Sequence, residues 1–149
     1  ATLWQRYIGG TGSEPYIAKS AKWCDPRKLS GYRHEFGSLL RLEHEQSALH
    51  PAGCNLPDDP HIRDLALHLI AAHHGHARPH FSHSFDKEFS APECEATYLE
   101  TIRRFARLQR QYGRWGLAYL ESLLRAADAA ASAGLETDDE LEDDNGGDA

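Results

Sequence analysis

The sequence predicts an all-α fold, because three segments carry the periodicity of amphipathic helices and no segment shows a convincing strand pattern. The helices are expected at about residues 35–49, 60–74 and 93–133. The last is long, and Gly113 and Gly116 are predicted to break or kink it. A chain of 149 residues is long enough for one domain with its own core.

The second helix has clear start and stop signals. Asp58-Asp59-Pro60 supplies a carboxylate cap and a proline for the first turn. Gly75 is a natural stop. The face expected to enter the core is formed by four residues at helical spacing: Ile62, Leu65, Leu69 and His73.

At the end of this helix, His73 and His74 form a pair of adjacent imidazoles. Such a pair can hold a metal ion with little reorganisation of the chain. The alternative is two structural histidines at a partly buried helix end, and an isolated pair would favour that alternative. The metal interpretation therefore depends on further candidate ligands elsewhere in the sequence.

One further candidate is Asp128, in the last helix. It continues an apolar stripe and is expected to face the core, where a carboxylate is costly unless it is paired or bound to a metal. The alternative is a salt bridge to an arginine such as Arg33 or Arg78. The stripe consists of Leu117, Leu120, Leu124, Ala127 and Ala131.

Another candidate is His34, which precedes the first helix. Its neighbour Glu35 offers a simpler explanation, a surface ion pair. Taken together, His34, His73, His74 and Asp128 supply three imidazoles and one carboxylate from three helices. That mixture suits a divalent ion such as manganese, iron, cobalt, nickel or zinc.

The net charge of −7 comes from the end of the chain, where residues 135–149 contain eight acidic residues and no base. The rest carries 16 basic and 15 acidic residues, and the basic set has 12 arginines and 4 lysines. Residues 1–134 are therefore predicted to fold, and residues 135–149 to form a disordered acidic tail. The tail is interpreted as a solubilising end or a linker, in preference to an acidic mimic of nucleic acid.

Three cysteines, Cys24, Cys54 and Cys94, are odd in number and widely spaced, so they are predicted to be free thiols in a reducing cytoplasm. No apolar run approaches the roughly 20 residues of a membrane span. The expectation is a cytoplasmic protein with no membrane partner.

Three stretches occur in a characteristic order: Tyr32-Arg33-His34-Glu35, residues 67–79 around His73-His74-Gly75, and residues 112–132 around Asp128. Together they resemble the HD-type nuclease domain of the helicase-nuclease of type I CRISPR systems. The resemblance covers roughly residues 31–132. It implies an HD-domain-like helical bundle that cuts single-stranded DNA with two divalent ions, either a transition metal (manganese, iron, cobalt or nickel) or magnesium.

The resemblance also implies roles and partners. His34 would join His73 and His74 around one ion, and Asp128 would ligate the other; His73, His74 and Asp128 would be the catalytic set. Arg33 and Arg78 are the expected DNA contacts. The partners would be single-stranded DNA, a helicase module, fused or separate, and the CRISPR surveillance complex.

The sequence departs from the family in one respect: it contains no His-Asp dipeptide, the motif that bridges the two ions. In the family that motif falls just before a stretch like Leu3-Trp4-Gln5-Arg6. We expect that the N-terminal part of the domain is absent from this chain; the alternative is a degenerate domain that never had it. The chain should then bind one ion more strongly than two and cut single-stranded DNA poorly.

Two other functions remain open. One is an HD phosphohydrolase that acts on nucleotides. The other is a catalytically disabled helical module that docks a CRISPR helicase complex. The arginines of residues 103–114 lean toward polymeric DNA, although their spacing is equally typical of a solvated helix face.

Overall fold

The fold consists of three mutually packed helices in a computed structural model that describes residues 31–44, 55–82 and 85–142. They are α1 (His34–Glu43), α2 (Pro60–Ala72) and α3 (Ala91–Glu142). These described ranges contain no strand, so the all-α prediction is confirmed. Within them, no helix is both long enough and apolar enough to cross a bilayer. Cys24 and Cys54 lie outside the described ranges, whereas Cys94 is a free, buried thiol.

The ends of α2 follow the sequence signals. The Asp59 carboxylate accepts hydrogen bonds from the backbone N–H groups of His61 at 2.8 Å and Ile62 at 3.2 Å, and Pro60 is the first helical residue. Beyond the last turn, Gly75 has a φ of +83°, and its N–H donates to the Ala72 carbonyl oxygen at 2.7 Å. Both the carboxylate cap and the glycine stop are therefore confirmed.

A single glycine interrupts α3. Gly113 has φ +69° and ψ 169°, whereas Gly116 lies within the helix. The backbone thus bends at the first of the two predicted positions. Residues 135–142, the first part of the predicted acidic tail, belong to α3; residues 143–149 lie outside the described ranges.

The hydrophobic core lies where the three helices and the loop after α2 meet. At its centre the rings of Phe36 and Phe81 pack edge to face, with centroids 5.3 Å apart. Its buried residues are Phe36, Leu39, Leu40, Leu42, Leu67, Ala71, Ala77, Phe81 and Cys94.

The face of α2 that enters the core differs from the predicted one. Ile62 is 54% exposed, and the buried residues of α2 are Leu67, His68, Ala71 and Ala72. The predicted stripe is wrong at Ile62, and its other members Leu65, Leu69 and His73 are half-buried, because α2 packs against both α1 and α3 through a neighbouring face. Periodicity alone could not distinguish between two adjacent apolar faces.

An ion-pair network joins the three helices through the arginine-rich part of α3. Arg104 is only 3% exposed; its guanidinium pairs with Glu43 of α1, and its Nε lies 3.5 Å from Asp64 of α2. Arg107 donates to Asp64 at 2.7 Å from Nε and 2.9 Å from Nη2. For Arg104 the solvated-face interpretation is wrong, because its guanidinium is buried between the helices, whereas Arg107 is ion-paired with 40% of its side chain exposed.

Candidate metal centre

Three imidazoles converge at one end of the bundle. His34 is the first residue of α1, and His73 and His74 follow the last turn of α2. One ring nitrogen from each lies within 4.8 Å of the others, and the ring centroids are 4.0 to 5.4 Å apart. The three residues thus lie together as predicted from the sequence. The group could hold a divalent ion, which remains a prediction.

The backbone fixes the orientation of His73. Its Nδ1 lies 2.7 Å from the carbonyl oxygen of Ile70. A carbonyl oxygen only accepts, so Nδ1 must carry the proton of this hydrogen bond. The Nε2 lone pair of a neutral His73 ring is then free for an ion, which is the usual arrangement of a ligating histidine.

The electrostatics of the cluster keep two rings neutral. Burial lowers the pKa of His34 to about 4, although Glu35 opposes this shift; the neighbouring imidazoles and Arg33 lower it further. Burial and His73 also lower the pKa of His74, against the attraction of Glu35 and Asp128. Neutral imidazoles have an available lone pair, so both rings are ready to ligate at neutral pH.

Glu35 does not form the surface ion pair that the sequence suggested. Its residue is only 1% exposed, and its Oε2 lies 3.5 Å from His34 Nδ1. That oxygen is buried without a hydrogen-bond partner among the described residues. The surface interpretation is wrong because Glu35 lies on the face of α1 that packs into the bundle, next to Phe36.

Asp128 lies close to the histidine cluster but does not face a core. It is exposed, so the expectation of a buried carboxylate at this position is wrong, yet its negative charge is near enough to raise the pKa of His74. The reason is that burial along α3 decreases beyond the bend: Leu117 is 1% exposed, whereas Leu124 is only half-buried. The apolar stripe continues past the part of α3 that is covered.

Among the side chains of this helix that the structure describes, the buried carboxylate is that of Glu121, which the sequence interpretation missed. It is 3% exposed, accepts from His68 Nε2 at 2.7 Å and forms an ion pair with Arg78. The available signal was its spacing, four residues after Leu117 and three before Leu124. Arg78 therefore pairs with Glu121, which lies about two turns before Asp128 in the same helix.

The two arginines expected to contact DNA differ in their surroundings. Arg33 is half-buried beside the cluster, where its charge lowers the pKa of His34. Arg78 is engaged with Glu121, and 38% of its side chain remains exposed. Of the two, Arg33 is the cation next to the imidazoles.

The class defined by these observations is an all-α domain with a candidate three-histidine metal centre. Comparisons with models of protein families, with curated proteins and with solved structures find no match.

Proposed function

We propose that this chain is a metal-dependent nuclease domain of the HD type that degrades single-stranded DNA in CRISPR interference. The observation that carries the proposal is the convergence of His34, His73 and His74. Imidazole nitrogens suit manganese, iron, cobalt or nickel, whereas magnesium prefers oxygen ligands and fits less well. The sequence resemblance supplies the choice of substrate.

The chemistry follows from what each residue can do. A bound ion would lower the pKa of a coordinated water and stabilise charge on the scissile phosphate. The three histidines would hold that ion, and Arg33 offers a positive charge beside them for a phosphate oxygen. Asp128, on the exposed side of His74, is the proposed ligand of the second ion.

A nucleotide phosphohydrolase is the second candidate, and one observation favours it. Arg104 and Arg107 are held in ion pairs with acids of this chain, so they do not offer free charge to a long DNA strand. A small substrate needs fewer cationic contacts than a polymer. The disabled docking module, with a helicase module and a surveillance complex as its cytoplasmic partners, is the third.

The test is a cleavage assay with manganese, cobalt or nickel. One arm uses a labelled single-stranded oligonucleotide, and the other measures phosphate release from nucleotides. The chain is compared with a variant carrying His73→Ala and His74→Ala. A matched control carries His61→Ala and His80→Ala, which removes two exposed histidines away from the cluster.

We expect weak metal-dependent cutting of the oligonucleotide, lost in the first double variant and kept in the control. Cutting should increase when a His-Asp segment is supplied by another chain or a longer protein. Phosphate release without cutting would favour the phosphohydrolase. Equal activity in the two double variants, or none under any condition, would overturn the metal mechanism and leave the docking module.

A further inference from the structure

Glu35 is a buried acid next to the candidate metal centre, and it is not one of the proposed metal ligands. Its side chain is 2% exposed, and Oε2 has no hydrogen-bond partner among the described residues. A buried carboxylate oxygen without a hydrogen bond is costly, so such an atom usually has a partner in the working state of the protein. The nearest candidate is His34 Nδ1, 3.5 Å away.

The geometry of an imidazole links this contact to ligation. The two ring nitrogens point in divergent directions, so a ring that uses Nδ1 for a carboxylate presents Nε2 to the other side. His73 already follows this pattern, with Nδ1 on the Ile70 carbonyl. Histidines that ligate metals generally donate their second N–H to a carboxylate or a carbonyl.

We propose that Glu35 is a positioning residue, which accepts a hydrogen bond from Nδ1–H of His34 and thereby directs His34 Nε2 toward His73 and His74. The inference rests on the metal centre of the proposed function but not on the nuclease reaction. The present separation of 3.5 Å is a few tenths of an ångström beyond a hydrogen bond. A small rotation of the two side chains closes it.

Direct ligation by Glu35 is the main competing role. It would give the ion three imidazoles and a carboxylate, and removing Glu35 would change the coordination sphere itself. A positioning residue would instead change affinity while the ligand set stays the same. The two roles therefore differ in the visible spectrum of a bound cobalt ion, which reports coordination directly.

The first measurement is the tautomer of His34 in the metal-free chain at neutral pH, from ¹⁵N NMR with labelled histidine; the His34→Gln spectrum assigns the signal. The variants are Glu35→Gln and Glu35→Ala. The matched control is Glu121→Gln, which alters another buried glutamate that contacts a histidine. We expect the Nδ1–H tautomer of His34 in the native chain and in the control, and its loss in Glu35→Ala.

The second measurement is cobalt titration followed by absorbance. Glu35→Ala should weaken affinity by about 10- to 100-fold, as losses of such partners typically do, with an unchanged spectrum. The cobalt affinity of Glu35→Gln should lie between those of the native chain and Glu35→Ala, because the glutamine amide oxygen still accepts a hydrogen bond. The control should keep native affinity. If Glu35→Ala fails to fold by circular dichroism, the tautomer of the native chain and the cobalt affinity of Glu35→Gln decide the proposal, and native affinity in Glu35→Gln would overturn it.

The outcomes separate this proposal from the proposed function. A native chain that binds no cobalt refutes the metal centre, yet the tautomer still decides the role of Glu35. An Nε2–H tautomer of His34 in the native chain, or an unchanged Nδ1–H tautomer in Glu35→Ala, overturns the proposal. A cobalt spectrum that changes with Glu35→Ala also overturns it, since Glu35 would then be a ligand.

Discussion

His68 Nε2 lies 2.7 Å from Glu121 Oε1, and this fully buried contact joins α2 to the part of α3 beyond the bend at Gly113. The Nδ1 of His68 is buried without a hydrogen-bond partner among the described residues. Burial lowers the pKa of His68, although Glu121 opposes the shift. The ring is therefore neutral in the fold, with Nε2–H donating to Glu121.

This pair predicts that stability falls in acid. The folded pKa of His68 is lower than the unfolded value of about 6.5, so its contribution is present above that pH and is lost as pH falls through the folded pKa. His68→Gln keeps a donor for Glu121 but cannot titrate. The free energy of unfolding, measured with urea between about pH 7 and about pH 5, should fall less steeply with decreasing pH in His68→Gln than in the native chain.

The difference between the two slopes can reach about 1.4 kcal/mol per pH unit, the value for one proton. Equal slopes for the native chain and His68→Gln would contradict the neutral buried state. His34 and His74 also have lowered pKa values and act in the same direction in both proteins. Their contributions therefore cancel when the slope of His68→Gln is subtracted from that of the native chain.

Arg104 and Arg103 are neighbours whose substitutions should differ in how much they destabilise the fold. Arg104→Ala removes the buried partner of Glu43 and Asp64 and should lower the free energy of unfolding by about 3 kcal/mol. The Arg103 side chain is 67% exposed, so Arg103→Ala should change the free energy of unfolding by less than about 0.5 kcal/mol. Urea unfolding measures both, and similar losses would show that the network contributes little.

Gly37 has no room for a side chain. A Cβ there would lie 2.1 Å from the Tyr32 hydroxyl oxygen and 3.0 Å from Asp86 Oδ2, which accepts from that hydroxyl. Gly37→Ala should destabilise the fold by about 1–3 kcal/mol, although alanine normally favours a helix over glycine by about 1 kcal/mol.

The matched control for this prediction is Gly116→Ala in α3, where a Cβ would make ordinary contact with Tyr112 at 3.5 Å. The higher helix propensity of alanine should dominate there, so the midpoint temperature of thermal unfolding should stay the same or rise. A stabilised Gly37→Ala would mean that Tyr32 moves away from Asp86 at little cost.

Asp128 should act on His74 through its charge. Asp128→Asn removes an attraction that favours the protonated ring, so the pKa of His74 should fall below its native value. An NMR titration of the histidine ring signals measures the change. Asp58→Asn, which removes another exposed acid, is the control and should leave His74 unchanged. A higher pKa in Asp128→Asn would exclude the proximity of these two groups.

The sequence by itself determined the local features. Asp59 and Gly75 bound α2, and Gly113 bends α3, because caps, stops and breaks depend on a few neighbouring residues and their backbone preferences. It also identified the three histidines, since their segments lie at the start of one helix and the end of the next.

Only the tertiary structure decided which polar groups are buried. Glu35 and Glu121 are covered and Asp128 is exposed, although helical periodicity gives Glu121 and Asp128 nearly the same face of α3. The difference arises because covering a helix face requires partner elements at that height along the axis. Periodicity gives the direction of a side chain, whereas its burial depends on where neighbouring helices end.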